Sequence, residues 1–320
     1  MTIMNDPAIG VDVGGTNVRA ALVSRDLSLS GENRRRIDKS SPTALLEVMA
    51  ACVEQAMKAA PGAAGIGVAM KGYVDVKTGI TIASGNLGMK NVPVGPYLAK
   101  RFGVPVRVAN DVQVATTGEM LYGAGRDYKD FIYLNVGTGI AAGMVLDGRL
   151  YGGASNLAGE LGHMTVDRDG PQCPCGQKGC LEEIVSGPGI VAQARIAVSQ
   201  YPGSVLAPLA ESGQLTASKV FALADRGDEA AMGVLRKTAE YLGDGIVNLI
   251  NLLNPAAVIL GGGVFTDAAT FIRLLETHVR THAIGQAARS LRAFETSRLD
   301  VDKVGIIGAA AMVFQAGQTR

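Results

Sequence analysis

The sequence of 320 residues carries 30 basic side chains (Lys and Arg) against 29 acidic ones, which gives a formal net charge of +1 at pH 7. A balance this even shows no basic footprint for nucleic acid and no acidic tail. No apolar run reaches the roughly 18 residues that a membrane span needs, and the polar segment Met1–Pro7 does not resemble a secretory signal. The length suits one large or two medium domains with a sizeable core.

The chain begins with a pattern that predicts two strands joined by a tight glycine turn. Apolar residues over 9–13 and 18–23 flank the turn sequence Gly14-Gly15-Thr16-Asn17, and a third short strand is expected after Asp26. The elements predicted next are a helix over 42–59, a strand over 65–69, a loop rich in Gly and Asn up to residue 91, a helix over 96–102, a strand over 104–108 and a helix over 112–122.

A similar pattern restarts in the middle of the chain. Ile132–Leu146 aligns with the first block when Val136-Gly137 is laid on Val13-Gly14, which indicates an internal duplication. The elements predicted after residue 180 are helices capped by Thr216 and by Asp228 (the second ending before Pro255), a strand over 257–264 that runs into Gly261-Gly262-Gly263, a helix over 267–282, a strand over 300–304 and an apolar helix from Gly305. Strands that alternate with helices predict the α/β class.

The first glycine turn is a candidate phosphate-binding loop. In Asp12-Val13-Gly14-Gly15-Thr16 the glycines free backbone N–H groups to face anionic oxygens, and the Thr16 hydroxyl adds a donor. Asp12, at the end of the strand, could hold Mg²⁺ through water. The motif is not the G-x-x-x-x-G-K-[ST] loop, which disfavours a Walker-type NTPase. A hairpin turn that binds nothing is the alternative, because such turns also use Gly-Gly.

Gly137-Thr138-Gly139 repeats this device in the second half of the chain, with Asn135 where the first copy has Asp12. Two hairpins of this kind could hold the phosphates of one nucleotide from both sides. A single acidic partner is enough for one metal ion.

Asn110-Asp111 follows a predicted strand and opens a predicted helix. One interpretation is a helix N-cap, which both residue types supply well. The other is a carboxylate at the C-terminal edge of a strand, where ligands of α/β sheets bind. Such a carboxylate could accept a proton from an attacking hydroxyl.

His163, Cys173, Cys175 and Cys180 lie within eighteen residues and predict a zinc site. Four such ligands can surround one tetrahedral Zn²⁺, and the intervening glycines allow the tight turns this needs. A disulfide fits less well, since three cysteines leave one unpaired. The alternative is a glycine-rich loop whose cysteines are merely buried. Few cysteines together with a zinc site fit a reducing cytosol.

Two glutamates flank this cluster. Glu160 shares a face with His163 if the stretch is helical, and Glu182 follows the last cysteine. A zinc-bound histidine donates its other ring N–H to a partner, either a sugar hydroxyl or a carbonyl. Glu182 could equally be solvated surface. His278 and His282 have no third ligand nearby and are expected to be structural, as is Cys52 on an apolar helical face.

Together these motifs resemble the ROK family of sugar kinases and repressors, over essentially the whole chain. The cysteine pattern is the most specific of them, and the two hairpins are specific only when they occur with the other motifs. The motifs that carry the resemblance are Asp12-x-Gly14-Gly15-Thr16, Asn110-Asp111, Gly137-Thr138-Gly139, Glu160-x-Gly162-His163 and Cys173-x-Cys175-Gly176-x-x-Gly179-Cys180-x-Glu182.

The resemblance implies the actin-like, ribonuclease-H-like ATPase fold, with two α/β domains around a cleft. We accordingly expect a small domain over 1–112, with the C-terminal helix 305–320 packed back on it, and a large domain over 113–304 that carries the zinc-binding loop 163–180. The family's matching residues imply that Asp111 is the catalytic base and that Gly261-Gly262-Gly263 lies on the adenosine side. They imply zinc binding by His163, Cys173, Cys175 and Cys180, and sugar binding by Asn86, Asn110, Glu160, His163 and Glu182.

The activity implied is an ATP-dependent hexose kinase, most like a bacterial glucokinase, that uses ATP, Mg²⁺ and a structural Zn²⁺. A cytoplasmic homodimer that feeds glycolysis is expected, with sugar and nucleotide as its partners. The alternatives are a kinase for an N-acetylhexosamine, fructose or an aminosugar, and a sugar-responsive repressor or non-catalytic sensor. A repressor needs an N-terminal helix-turn-helix module, whereas the first strand is expected to begin by Ala8. The chain departs from the family at Met89, where Trp is common, and at Lys71, where Pro is common; both bear on the choice of sugar.

Overall fold

The computed structural model describes residues 6–59 and 62–318, and the chain divides into two compact units. The first unit comprises Met1–Asp127, Arg149–Ala158 and Arg298–Arg320, and the second comprises Tyr128–Gly148 and Gly159–Ser297.

Both units contain parallel strands joined through helices, which confirms the predicted α/β class. The strands are β1 (Ala8–Val13), β2 (Asn17–Val23), β3 (Leu29–Arg36), β4 (Ile66–Met70), β5 (Tyr73–Asp75), β6 (Ile80–Ser84), β7 (Met89–Val92), β8 (Val106–Asn110), β9 (Phe131–Val136), β10 (Ile140–Leu146), β11 (Arg149–Tyr151), β12 (Ala257–Gly261) and β13 (Ala293–Thr296). The α-helices are α1 (Pro42–Met57), α2 (Val94–Phe102), α3 (Asp111–Tyr122), α4 (Leu181–Val185), α5 (Gly187–Gln200), α6 (Leu206–Glu211), α7 (Ala217–Asp225), α8 (Glu229–Leu253), α9 (Ala269–His282), α10 (Gly285–Ser290) and α11 (Val304–Gln318). No α-helix within 6–59 or 62–318 combines the length and the apolar character that a membrane span requires.

The first unit contains a sheet of five strands in the order β3-β2-β1-β4-β8. β1 is antiparallel to β2 and parallel to β4, and β4 is parallel to β8. The register pairs Val13, the last residue of β1, with Met70 at the end of β4, and pairs Met70 with Asn110 at the end of β8. The three parallel strands therefore end level with one another at one edge of the sheet.

The first unit extends past the predicted domain boundary at residue 112, because α3 packs against α11 of the same unit. The two helices meet at glycines: a Cβ atom on Gly118 would lie 3.2 Å from the Cα atom of Gly308. Residues 319 and 320 of the predicted helix 305–320 lie outside the described residues.

Helix α11 also lies directly on the backbone of β1 and β4. A Cβ atom on Gly10 would overlap the carbonyl oxygen of Ile306, and one on Gly67 would overlap that of Ala309. The missing side chains of these two strand glycines are what allow the apolar helix to approach so closely.

The second unit repeats the arrangement of the first. Its strands β10, β9, β12 and β13 are neighbours in that order. β9 is antiparallel to β10 and parallel to β12, which is parallel to β13. Order and direction match those of β2, β1, β4 and β8, so the structure confirms the predicted internal duplication.

Two predicted elements are wrong. The segment predicted as a loop up to residue 91 contains β5, β6 and β7, which form a separate antiparallel sheet. The strand predicted over 300–304 is a turn that leads into α11, and the strand β13 lies earlier in the chain. The cause is local: the Asp300 side chain accepts a hydrogen bond from the Asp302 N–H and its carbonyl oxygen accepts one from Val304, which favours a turn.

The predicted helix caps are confirmed. The Thr216 hydroxyl accepts a hydrogen bond from the N–H of Lys219 at 3.2 Å, and the Asp228 carboxylate accepts one from Ala231 at 2.9 Å. Helix α8 ends at Leu253, as the following proline predicts.

We predict that Gly67→Ala lowers the free energy of unfolding of the first unit by about 1–3 kcal/mol, because the added methyl group overpacks the contact with Ala309. Thermal unfolding followed by circular dichroism measures the change. The control is Gly233→Ala in α8, where a Cβ atom would meet nothing within 4 Å and the substitution favours the helix by up to about 1 kcal/mol. Equal stability of the two variants would contradict the close seating of α11.

Candidate active site

The level ends of β1, β4 and β8 bring three residues together in the first unit. The next residues after these strands are Gly14, Lys71 and Asp111, with Lys71 in the middle. The Lys71 Nζ atom lies 3.0 Å from Oδ2 of Asp111, and their side chains are 31% and 29% exposed. An acid and a base thus form an ion pair that solvent and ligands can reach.

Asn110 provides the cap of helix α3. Its Oδ1 atom accepts a hydrogen bond from the N–H of Val112 at 2.9 Å, and its Nδ2 atom donates to the carbonyl oxygen of Gly72 at 3.0 Å. Asp111 Oδ1 also lies 3.1 Å from the Val112 nitrogen, whereas Oδ2 faces Lys71. The cap interpretation is therefore correct for Asn110, and it leaves one oxygen of Asp111 directed away from the helix end.

Gly72 makes this arrangement possible. Its φ angle of +102° lies in the region that favours glycine, and a Cβ atom here would overlap the carbonyl oxygen of Ala83 in β6. The small sheet β5–β7, which the sequence pattern did not reveal, thereby lies against the segment that carries Lys71.

Asp12, the candidate magnesium residue, is paired with Arg19 on the neighbouring strand. The Arg19 Nε atom donates to Asp12 Oδ2 at 3.2 Å, a second guanidinium nitrogen binds the same oxygen, and the guanidinium also donates to the Asp302 carbonyl oxygen at 2.7 Å. A Cβ atom on Gly305 would lie 2.7 Å from Asp12 Cγ, so the carboxylate also faces the first turn of α11. A carboxylate already held in this way fits a metal ion bound through water better than one bound directly.

The first hairpin is closed by the N–H of Gly14, which donates to the Asn17 carbonyl oxygen at 2.9 Å. A Cβ atom on Gly15 would meet nothing within 4 Å, and Thr16 is exposed. The tip of the hairpin is therefore open and can receive a ligand.

The second hairpin is closed in a similar way by a turn one residue shorter, with the N–H of Gly137 donating to the Gly139 carbonyl oxygen at 2.9 Å. Beside it runs the three-glycine loop at the end of β12. Gly262 has a φ angle of +92°, and a Cβ atom there would overlap the carbonyl oxygen of Val136, the residue before the hairpin. The two predicted nucleotide-binding segments of the second unit, 137–139 and 261–263, are thus direct neighbours.

The four predicted zinc ligands come together in the second unit. The candidate ligand atoms of His163, Cys173, Cys175 and Cys180 all lie within 4.8 Å of one another. The Sγ atoms of Cys175 and Cys180 are 3.6 Å apart, and Cys173 Sγ lies 3.7 Å from His163 Nδ1. Two sulfur atoms bound to one tetrahedral Zn²⁺ lie about 3.8 Å apart, so the cluster fits such an ion with little movement.

Burial raises the pKa of the Cys173 thiol and raises the pKa of Cys180 to about 12. A thiol in this range keeps its proton at neutral pH, whereas zinc binds the thiolate. A divalent cation among the sulfurs supplies the positive charge that displaces these protons.

Glu182 connects the cysteine loop to the second hairpin. It lies in the first turn of α4, two residues after Cys180, and its Oε2 atom accepts a hydrogen bond from the N–H of Ile140 at 2.7 Å. Ile140 begins β10 immediately after Gly139. Glu182 is partly buried, so the interpretation as solvated surface is wrong.

The remaining predicted residues lie on loops. Glu160 is exposed and precedes the 3₁₀ turn Leu161–His163, in which the His163 N–H donates to the Glu160 carbonyl oxygen at 3.1 Å. Asn86 is exposed, and Lys39 donates to its carbonyl oxygen at 2.9 Å. Met89, the unusual residue that begins β7 after this loop, is only 5% exposed and packs in the core.

The other two histidines lie on α9 away from any third ligand among the described residues, and Cys52 lies in the core, as expected. The rings of His278 and His282 stack with centroids 4.1 Å apart, and His278 Nε2 lies 2.8 Å from Asp244 Oδ1. Cys52 is fully buried. Within the described ranges, the cluster at His163 is the only group of three or more such side chains close enough to share a metal ion.

Sequence reasoning noted Lys71 as unusual but did not place it in the site. The signal was present: a parallel register that ends β4 and β8 together puts the residue after β4 beside Asp111. Finding it required the order of the strands, which the sequence pattern alone does not give.

Two units with repeated sheets and paired glycine hairpins define the actin-like α/β fold, and comparison with known proteins identifies the family. The chain belongs to the ROK family, whose model matches residues 8–316. It is 33% identical over 314 residues to a glucokinase from Halalkalibacterium halodurans, covering 96% of this chain and 94% of the relative.

Two solved structures of similar proteins have different functions. One is a ROK family glucokinase from Streptomyces griseus in complex with glucose and AMPPNP, 29% identical with a TM-score of 0.82, covering 97% of this chain and 99% of that one. The other is a ROK family transcriptional regulator, a homologue of the E. coli MLC protein, 27% identical with a TM-score of 0.87 over 97% of this chain and 78% of that one. Membership of the family thus fits both a sugar kinase and a sugar-responsive regulator.

We predict that the purified protein contains close to one zinc ion per chain and that Cys175→Ser loses it. Cys175 is exposed, so the substitution removes a ligand without disturbing a core. Metal analysis by mass spectrometry measures the content, and Cys52→Ala, which changes the one cysteine outside the cluster, is the control. Full zinc content in Cys175→Ser would contradict the four-ligand site.

Proposed function

We propose that the protein is an ATP-dependent hexose kinase, most like a bacterial glucokinase, that converts glucose to glucose 6-phosphate. The observation that carries the proposal is the Asp111 carboxylate. It follows β8 at the same sheet edge at which the glycine hairpin follows β1. Because Asn110 caps helix α3, helix capping does not explain the acidic residue at position 111.

In the proposed reaction, the primary hydroxyl of the sugar attacks the γ-phosphorus of ATP in line with the leaving ADP. Asp111 orients this hydroxyl and accepts its proton as the new P–O bond forms. The transition state of phosphoryl transfer is loose, so positioning and charge stabilisation supply most of the acceleration.

The nucleotide phosphates are assigned to the two hairpins, through Gly14, Gly15 and Thr16 and through the segment 137–139, with 261–263 on the adenosine side. Mg²⁺ neutralises phosphate charge when bound. Asp12 would hold it through water, since its Oδ2 atom already accepts two bonds from Arg19.

The hexose is assigned to five polar side chains. Asn110 uses its amide oxygen and one N–H within the protein, so the second N–H on Nδ2 is the donor it offers to a hydroxyl. Glu182 uses Oε2 for Ile140, which leaves Oε1 for the sugar. The other assigned residues are Asn86, Glu160 and His163.

Zinc has a structural role in this proposal. Four protein ligands leave the ion no open position, so it cannot act as a Lewis acid on the substrate. With Nδ1 of His163 directed at the cluster, the other ring nitrogen is available to a sugar hydroxyl. The ion would also fix the position of Glu182, which is the second residue of α4 and lies two residues after the ligand Cys180.

Glucose is favoured because the glucokinase from Halalkalibacterium halodurans matches nearly the whole chain. Met89 is buried in the core of the first unit, so we assign it no sugar contact. An ADP-release assay over glucose, fructose, mannose, N-acetylglucosamine, N-acetylmannosamine and glucosamine tests the assignment. Binding of a sugar without ADP release for any of them would favour the sensor or regulator alternative.

We predict that Asp111→Asn reduces turnover by about 10²–10⁴-fold and leaves glucose binding within a few-fold, because the amide cannot accept the proton. Asn also retains the helix end, so the fold should survive. Steady-state kinetics and calorimetry with glucose measure the two effects. Asp26→Asn, at an exposed turn of the same unit, is the control. Turnover of Asp111→Asn within a few-fold of that of the natural protein would contradict the assignment of Asp111 as the catalytic base.

A further inference from the structure

Lys71 occupies a position in the first unit that the proposed reaction does not yet use. Its strand β4 lies between β1 and β8, and all three end level. Neighbouring strands are about 4.8 Å apart, so Lys71 has the phosphate-binding hairpin on one side and Asp111 on the other.

The charges around Lys71 favour the protonated form of its side chain. Burial tends to lower the pKa of this ammonium group, but the Asp111 carboxylate, the hydrogen bond to it and the charge of Asp12 together raise the pKa above its ordinary value. Lys71 therefore stays protonated at neutral pH. An ammonium group has three N–H donors, and the contact with Asp111 uses one of them.

A cation at this place favours the proposed reaction. A carboxylate base and the γ-phosphoryl group are both anionic, and the attacking hydroxyl must bring them within a few ångströms of each other. Two unit charges 4 Å apart interact by about 4 kcal/mol near a protein surface, and a positive group between them offsets this repulsion. Asp12 cannot help, and its partner Arg19 is already committed to it.

We propose that the Lys71 ammonium group contacts a non-bridging oxygen of the γ-phosphoryl group of ATP while it keeps its hydrogen bond to Asp111. This inference rests on the proposed kinase function. It makes Lys71 a phosphoryl-binding residue.

The sugar hydroxyl oxygen forms a bond to the γ-phosphorus, and the bond from that phosphorus to the β–γ bridging oxygen breaks. The electron pair of that bond leaves with ADP, and the hydroxyl proton passes to Asp111. Lys71 donates hydrogen bonds throughout and neither gains nor loses a proton.

Two other roles are possible for such a lysine, and they predict different results. A lysine that only supports the local fold would affect all ligands alike. A lysine that locks Asp111 in an inactive pair would raise activity when removed. Binding of nucleotides that differ only in the γ-phosphoryl group separates these roles from the proposed one.

The test uses calorimetric binding of AMPPNP and of ADP, each with Mg²⁺ and saturating glucose, together with steady-state kinetics. Lys71→Met removes the charge and keeps the length of the side chain. It should weaken AMPPNP binding at least tenfold, leave ADP binding within twofold and reduce kcat by about 10²–10³-fold, as loss of one charge-stabilising donor does. Lys71→Arg should recover part of both losses. Lys77→Met, an exposed lysine six residues away, should match the natural protein.

Equal weakening of AMPPNP and ADP by Lys71→Met would overturn the proposal in favour of a structural role. Unchanged or increased kcat would also overturn it. If the natural protein phosphorylates no hexose but Lys71→Met still weakens AMPPNP alone, the kinase proposal fails and the phosphate contact of Lys71 stands.

Discussion

The register of three parallel strands is the constraint on which the site in the first unit depends. Because β1, β4 and β8 end level, the residue after each strand emerges at the same edge of the sheet. A one-residue slip would turn every side chain to the opposite face of its strand. The level ends place a glycine hairpin, the ammonium of Lys71 and the carboxylate of Asp111 in one row, although these residues are far apart in sequence.

The duplicated sheet of the second unit carries a different set of groups at the corresponding edge. Where β4 is followed by Lys71, β12 ends in three glycines, and Asn135 stands where the first copy has Asp12. At this edge the first unit has charged side chains and the second has glycine backbone. The second unit also has the cysteine loop, and the hydrogen bond from the Ile140 N–H to Glu182 connects that loop to the hairpin.

Many of these features can be predicted from local patterns in the sequence. Apolar strands with glycine turns, the caps Thr216 and Asp228 and the cysteine spacing each depend on neighbours in sequence, and each was predicted. The pairing of Lys71 with Asp111 and the bond between Glu182 and Ile140 depend on strand order and could not be read locally. The strand predicted over 300–304 was wrong because the turn made by Asp300 outweighed the apolar residues beside it. The cap role of Asn110 was predicted. The ion pair between Asp111 and Lys71, which this capping permits, was not.

We propose that Asp111 and the hairpin beside it promote phosphoryl transfer to the primary hydroxyl of a hexose. ³¹P nuclear magnetic resonance of the protein mixed with glucose, ATP and Mg²⁺ tests this directly. We expect a new phosphate monoester whose phosphorus is coupled to the two hydrogens of a CH₂ group, formed in step with ADP. Inorganic phosphate as the only new signal, an ester on a ring carbon, or unchanged ATP with every hexose tried would contradict it.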